Sequence, residues 1–115
     1  MSSTQIGQAF EAQAVAELLS LGWSILERNF RASDGELDIV AWKAGTLWFV
    51  EVKGSRRSIG PERSITRRKQ ARIARAAEVW LEQSDLEPMA ISFVACAIDP
   101  QGIRWIVDAF DASEE

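Results

Sequence analysis

The sequence predicts a single α/β domain over residues 1–115, in which two helices flank a mixed five-stranded sheet. Its length of 115 residues is that of one ordinary domain. Two segments repeat apolar residues every three or four positions, as helices do, and five short runs are rich in β-branched and aromatic residues. Their order is helix, three strands, helix, two strands, which is typical of a mixed sheet covered by helices.

The first helix is predicted over residues 4–21, where the apolar repeat runs up to Gly22, a residue that commonly ends helices. Glu11 lies near the edge of its apolar face rather than opposite it. The second helix is predicted over residues 64–83, where arginines fill the first half of an incomplete apolar repeat.

The predicted strands cover residues 23–30, 37–42, 47–53, 89–98 and 103–107. The second and third are separated by a four-residue connector that contains Gly45, which indicates a tight hairpin. Residues 54–63 contain two glycines and a proline and are predicted to form a loop.

The residue types that are missing exclude several chemistries. The chain has no histidine and no tyrosine, which excludes a Ser-His-Asp triad, a histidine general base and a tyrosine nucleophile. The single cysteine, Cys96, excludes an internal disulfide and is expected to be buried. No apolar run is long enough for a membrane span, and no signal peptide is recognised, so a cytoplasmic location is expected. Any catalysis must therefore use carboxylates, lysine, arginine, hydroxyls or a metal ion with oxygen ligands.

The net charge of −4 hides a strong asymmetry along the chain. Residues 53–75, the basic segment, carry a net charge of +8, whereas residues 1–52 carry −4 and residues 76–115 carry −8. A block this dense can create a local positive field that attracts nucleic acid, although it is also compatible with an ordinary solvated helix face.

The hairpin brings two carboxylates together. If Trp42 lies opposite Leu47, then Asp38 lies opposite Glu51, with Cβ atoms about 4.5–5.5 Å apart. Two like charges at that distance repel unless a cation lies between them, and Mg²⁺ or Mn²⁺ accepts carboxylate ligands together with water and phosphate. Lys53, on the same strand face as Glu51, could then orient the attacking water or stabilise charge on the phosphate.

The same residues allow a structural interpretation. Glu51 and Lys53 can be ordinary edge-strand charges, with Lys53 paired to Glu36 on the neighbouring strand. A register slip of one residue would also send the two carboxylates to opposite faces of the sheet.

The residues of this hairpin, together with runs elsewhere in the sequence, resemble the YraN family of small bacterial proteins over nearly the whole chain. The resemblance is carried by Glu11, Arg28-Asn29, Gly35-Glu36-Leu37-Asp38-Ile39-Val40, Phe49-Val50-Glu51-Val52-Lys53, Thr66, Lys69-Gln70, Trp105-Ile106 and Asp108-Ala109-Phe110. That family is similar to restriction endonucleases and Holliday-junction resolvases. Such enzymes hold Mg²⁺ between an Asp and a Glu-x-Lys motif on adjacent strands and cut a phosphodiester.

The resemblance implies a role for particular residues. Asp38 and Glu51 would be metal ligands, together with the carbonyl of Val52 and with Glu11 from the first helix, and Lys53 would be the catalytic lysine. Substrate contacts would come from the second helix and the arginine-rich loop. The residues expected to contact nucleic acid are Arg31, Arg56, Arg57, Arg67, Arg68, Lys69, Gln70 and Arg72.

Two positions depart from the family pattern. Ser55 stands where an arginine often follows the catalytic lysine by two residues, and Val94 stands where an aspartate often follows the strand phenylalanine. Neither departure affects Asp38, Glu51 or Lys53.

The preferred hypothesis is a Mg²⁺- or Mn²⁺-dependent nuclease acting on DNA. The alternative is an inactive nucleic-acid-binding module or a component of a larger DNA-processing complex, whose binding would weaken steeply with salt. A third hypothesis is a protein-interaction domain whose basic segment meets an acidic partner, including a second copy in a homodimer.

Overall fold

The computed structural model describes residues 2–111, and its elements follow the predicted order. The helices are α1 (Ser3–Ser20) and α2 (Arg67–Gln83). The strands are β1 (Ser24–Ala32), β2 (Gly35–Lys43), β3 (Thr46–Gly54), β4 (Ala90–Asp99) and β5 (Gly102–Ile106). The predicted α/β class is confirmed. Within residues 2–111, neither helix is long and apolar enough to cross a bilayer.

The five strands form one sheet in the order β1-β2-β3-β4-β5. β3 and β4 are parallel and are connected through α2, whereas the other neighbouring pairs are antiparallel. The predicted hairpin register is confirmed near the turn, where Trp42 lies opposite Leu47. Ala44 and Gly45 form that turn with φ of 48° and 85°, the left-handed values that a two-residue hairpin turn requires.

Each face of the sheet is covered by one helix. Buried side chains between α1 and the sheet are Ala14, Leu18, Ile39, Ala41, Val50, Val94, Cys96 and Ile98. Those between α2 and the sheet include Leu37, Val40, Leu47, Phe49, Ile73, Ala76, Ala77, Trp80 and Ala95. Burial raises the pKa of the Cys96 thiol to about 12, so this cysteine is the inert core residue that the sequence predicts.

Two glycines let the helices approach the same end of the sheet. A Cβ atom on Gly35, the first residue of β2, would overlap the backbone carbonyl of Arg72 in α2. A Cβ atom on Gly54, the last residue of β3, would overlap the ring of Phe10 in α1. Because β2 and β3 are antiparallel, both helices reach the sheet at the end where β2 begins and β3 finishes.

The second helix begins three residues later than the periodicity predicts. Residues Pro61–Ser64 form a separate 3-10 turn, and Thr66 is the N-cap of α2, where its Oγ1 accepts a hydrogen bond from the Lys69 N–H at 3.2 Å. Ile65, predicted as a helical residue, lies between the two segments and is buried in the α2-side core. The proline and the threonine cap decide this boundary, which the apolar spacing does not record.

An ionic network in which only Asp99 is fully buried holds the 3-10 turn against the β4–β5 hairpin. The Arg104 guanidinium contacts Asp99 at 2.8 Å and Glu62 at 3.0 Å, and the backbone N–H of Gly60 donates to Asp99 at 3.2 Å. The hydrogen bonds to Asp99, from Gln101 N–H first and then from Arg104, hold the pKa of its carboxyl below the ordinary value. The network therefore fixes the end of the loop that carries Arg56 and Arg57.

Candidate functional site

β2 and β3 separate at the end of the sheet that both helices reach. Their backbone pairing ends where Ile39 lies opposite Val50. Beyond that pair, β2 stays with β1, where Leu37 lies opposite Phe30, and β3 stays with β4 as far as Gly54. A gap therefore opens between the two strands that carry the predicted metal ligands.

Asp38 lies at the point where this gap begins. Its Oδ2 accepts a hydrogen bond from the backbone N–H of Val52 at 2.8 Å, and this contact takes the place of a backbone pair. The predicted backbone pairing of Asp38 with Glu51 is wrong, because the ladder has ended one residue earlier. The two side chains still meet, and a hydrogen bond joins their carboxyl groups.

The alternation of β2 is also interrupted at Asp38. Strand periodicity predicts Leu37 on the same face as Ile39, but Leu37 packs with Val40 in the α2-side core while Ile39 packs in the α1-side core. On β1, Asn29 stands between the residues paired with Leu37 and Ile39 and has a left-handed φ of 54°. The irregular backbone at Asn29 therefore lies opposite the residue where the alternation of β2 is lost.

Glu51 is the most buried carboxylate of the gap, with 7% of its surface exposed. Burial raises its pKa to about 9, and the hydrogen bond to Asp38 and the charge of that group add to the effect. Lys69 and Lys53 act in the opposite direction through their positive charges. The site therefore disfavours the charged form of the Glu51 carboxyl.

Lys53 lies beside these carboxylates, as the strand alternation predicts. Burial and the neighbouring ammonium of Lys69 hold the pKa of Lys53 below its ordinary value, against the charge of Glu51. Glu36, which was the alternative partner of Lys53, forms an ion pair with Arg31 at 3.4 Å across β1 and β2. This placement favours a role for Lys53 in the site over a surface ion pair.

Glu11 approaches the same gap from α1. Its Oε1 accepts a hydrogen bond from Asn29 Nδ2 at 2.8 Å and lies 3.9 Å from the guanidinium of Arg28. Burial raises the pKa of Glu11 to about 7, with a further contribution from the charge of Asp38. Glu11 therefore belongs to the same electrostatic unit as the carboxylates of the sheet.

These groups line one cavity of about 450 Å³ between the two helices and the gap in the sheet. The cavity is lined by Ser3, Ile6, Gly7, Phe10, Glu11, Asp34, Gly35, Glu36, Asp38, Glu51, Val52, Lys53, Gly54, Lys69, Arg72 and Ile73. All the residues predicted to be catalytic or metal-binding are thus gathered in one place.

The donor atoms of this cavity fit a hard divalent cation. Carboxylate and backbone oxygens suit Mg²⁺ and Mn²⁺, whereas Cys96, the single thiol of the chain, is in the core. Among residues 2–111, no three Asp, Glu or Cys side chains are grouped as a ready metal cluster. A cation at Asp38 and Glu51 would therefore also need backbone oxygen, water or substrate phosphate.

Comparison with known proteins identifies the family. The pattern of the uncharacterised protein family UPF0102 matches residues 10–110. A UPF0102 protein of Rhodopseudomonas palustris (strain BisA53) is 39% identical, with 98% of this chain and 88% of the relative aligned. A UPF0102 protein of Geotalea daltonii is 42% identical, over 92% of this chain and 89% of the relative. The chain belongs to the UPF0102 family. The predicted YraN assignment, which is this family, is confirmed.

The basic residues of this UPF0102 chain divide into two groups. Lys69 and Arg72 line the cavity, whereas four further arginines of the basic segment are exposed outside it: Arg56, Arg57, Arg67 and Arg68. Gln70, predicted to contact substrate, donates instead from Nε2 to the carbonyl oxygen of Ile65 at 3.1 Å. Arg31 is exposed at the β1 edge beside Glu36.

Sequence reasoning missed the role of Asp34 in this UPF0102 chain. Its carboxylate accepts a bidentate hydrogen bond from Arg75 at 2.7–3.1 Å and lies 3.6 Å from Arg72. The Arg75 hydrogen bonds hold the pKa of Asp34 below the ordinary value. The contact ties the β1–β2 turn to α2 across 41 residues of sequence, so no local pattern announces it.

The raised pKa values of Glu51 and Glu11 predict that the metal-free protein loses stability as pH rises from about 5 to about 8. Both groups titrate near 4.5 when unperturbed, so in this range the folded state binds more protons than the unfolded state. At higher pH the lowered pKa of Lys53 acts in the opposite sense. Thermal melts in EDTA at intervals across this range measure the effect, and a melting temperature that rises towards pH 8 would contradict it.

Proposed function

We propose that this UPF0102 protein is a cytoplasmic, metal-dependent nuclease that hydrolyses phosphodiester bonds of DNA. The observation that carries the proposal is the cavity that gathers Asp38, Glu51 and Lys53, with the two carboxyl groups close enough to share a hydrogen bond. A buried contact between two acids costs stability unless a cation or a proton lies between them. A site that retains this cost is a candidate for function.

The residues suited to hold the cation are those of the cavity. Asp38 and Glu51 would bind Mg²⁺ or Mn²⁺ with the carbonyl of Val52 and with Glu11. A divalent ion in such a site lowers the pKa of a water molecule and neutralises charge on the scissile phosphate. The hydrogen bond from Val52 N–H holds Oδ2 of Asp38 in place at the cavity wall.

The cationic residues supply the remaining functions. Lys53, with its pKa lowered by burial and by Lys69, can donate a hydrogen bond to a phosphate oxygen or position the attacking water. Lys69 and Arg72, on the cavity wall, would hold the flanking backbone phosphates, and the exposed arginines would extend that contact along the strand.

The finer fold assignment is part of the same proposal. The element order, with an Asp and a Glu-x-Lys motif on adjacent strands that separate at the site, supports a restriction-endonuclease-like core of the Holliday-junction-resolvase type. The α1 carboxylate Glu11 and the basic residues Lys69 and Arg72 of α2 line the same cavity as these two strands.

The test is incubation of the purified protein with Mn²⁺ or Mg²⁺ and labelled linear, flapped and four-way-junction DNA, with RNA of matched length as a comparison. Cleavage that requires the cation and disappears in Asp38→Asn supports the nuclease. Salt-sensitive binding without cleavage would instead support the alternative, a nucleic-acid-binding module. The absence of a three-residue metal cluster among residues 2–111 would then explain the lack of cleavage. Light scattering of the same preparation reports whether two copies associate.

The exposed arginines of α2 predict a specific salt dependence of DNA binding. Replacing Arg67 and Arg68 with Gln is expected to lower the slope of log affinity against log salt by about 2, since each lost phosphate contact removes roughly 0.9. Lys43→Gln is the matched control, because Lys43 is exposed at the far end of the β2–β3 hairpin. Fluorescence anisotropy over a salt series measures the slopes, and equal slopes for all three proteins would exclude these arginines from the interface.

A further inference from the structure

Asn29 is the single asparagine of the chain and has an unusual conformation for its place in the fold. It lies inside β1, yet its φ is 54°. Left-handed backbone is unfavourable for residues with a Cβ atom, although asparagine tolerates it better than most, and such positions concentrate at functional sites. The structural cost at Asn29 therefore calls for a compensating contact.

The compensating contact is with Glu11, which lines the cavity. Asn29 Nδ2 donates to Glu11 Oε1 at 2.8 Å, joining β1 to α1 across 18 residues of sequence. Arg28 approaches the same oxygen at 3.9 Å, a longer contact from a side chain that is 45% exposed. The Glu11 side chain is only 17% exposed, so the short amide hydrogen bond is the main constraint on where its carboxylate points.

Asn29 also stands opposite Asp38, the acidic residue that β2 contributes to the site. Arg28 pairs with Ile39 and Phe30 pairs with Leu37, which leaves Asn29 across from Asp38. This is the position where β2 loses its alternation and leaves β3. One residue thus contacts Glu11 through its side chain and has its left-handed backbone opposite Asp38.

We propose that Asn29 is a positioning residue, whose amide orients the Glu11 carboxylate toward a divalent cation held by Asp38 and Glu51. The inference rests on the proposed function and assigns it a supporting residue. Residues that hydrogen-bond a metal ligand fix its orientation, and their loss commonly lowers metal affinity about tenfold to a hundredfold.

Two substitutions separate the side chain from the backbone. Asn29→Gly keeps the left-handed conformation, since glycine adopts it freely, and removes only the amide. Asn29→Ala removes the amide and also penalises the conformation. We expect Asn29→Gly to melt close to wild type but to bind Mn²⁺ about tenfold more weakly, and Asn29→Ala to lose both melting temperature and affinity.

The measurement is Mn²⁺ affinity by electron paramagnetic resonance or calorimetry, which needs no substrate. Ala44→Gly is the matched control, because Ala44 has a comparable φ of 48° at the hairpin turn, and it should leave the affinity unchanged. In a Glu11→Ala background, Asn29→Gly should have no further effect if it acts through Glu11. A purely structural role would instead give the same loss in both backgrounds.

The outcomes for the two proposals are distinct. Wild-type Mn²⁺ affinity in Asn29→Gly, together with lost affinity in Asp38→Asn, overturns the role of Asn29 and leaves the metal site in place. Equal losses from Asn29→Gly with and without Glu11→Ala also overturn it. Unchanged Mn²⁺ affinity in Asp38→Asn overturns the proposed function itself.

Discussion

Replacing Asp38 with Asn is expected to lower metal-dependent cleavage of DNA at least about a hundredfold while the fold is retained. The loss follows because an amide oxygen is a poorer ligand for Mg²⁺ or Mn²⁺ than a carboxylate, and because the substitution removes one of two acidic groups in contact. The fold is retained because the amide oxygen can still accept the hydrogen bond from Val52 N–H.

The same substitution has a second expected result that requires no substrate. The hydrogen bond to Asp38 and its charge contribute to the raised pKa of Glu51, so Asp38→Asn should flatten the fall in stability between about pH 5 and pH 8. Asp85→Asn, an exposed aspartate beyond α2, is the control for a general change in charge. Full cleavage activity in Asp38→Asn would reject the nuclease, and an unchanged pH profile would reject the coupling of the two acids.

Replacing Gly35 with Ala is expected to destabilise the protein by about 2–3 kcal/mol, the upper part of the range for inserting a methyl group into closely packed structure. The new Cβ atom would overlap the carbonyl oxygen of Arg72 and lie 2.7 Å from its carbonyl carbon. Both are backbone atoms of α2, so the overlap can be relieved only by moving the helix away from the sheet. Urea denaturation gives the free energy of unfolding directly.

Gly7 provides the matched comparison for Gly35. It lies within α1, and a Cβ atom there meets no other atom within 4 Å. Gly7→Ala should therefore stabilise the protein by roughly 0.5–1 kcal/mol through helix propensity. Because α2 carries Lys69 and Arg72, Gly35→Ala should also weaken DNA binding. Wild-type stability in Gly35→Ala would mean that α2 does not approach the start of β2 this closely.

The sheet hairpin is the element that the sequence predicts best. The connector at 43–46 places Trp42 opposite Leu47, and the register then follows from counting, because strand pairing is regular. Counting residues from the turn is enough to bring Asp38 near Glu51. The predicted backbone pairing of Asp38 with Glu51 fails because β2 and β3 separate there. The separation depends on the neighbouring strands β1 and β4 rather than on the hairpin.

By itself, the sequence determines the order of the elements, the α/β class, the family, and the candidate acids and lysine. These follow from local periodicity, turn chemistry and short motifs, each of which spans few residues. Only the tertiary structure decides that Asp38 caps the Val52 N–H, that Asn29 holds Glu11, and that Asp34 holds Arg75. These contacts join residues 14 to 41 positions apart. The first forms where β2 separates from β3, and the other two form only when a helix packs against the sheet.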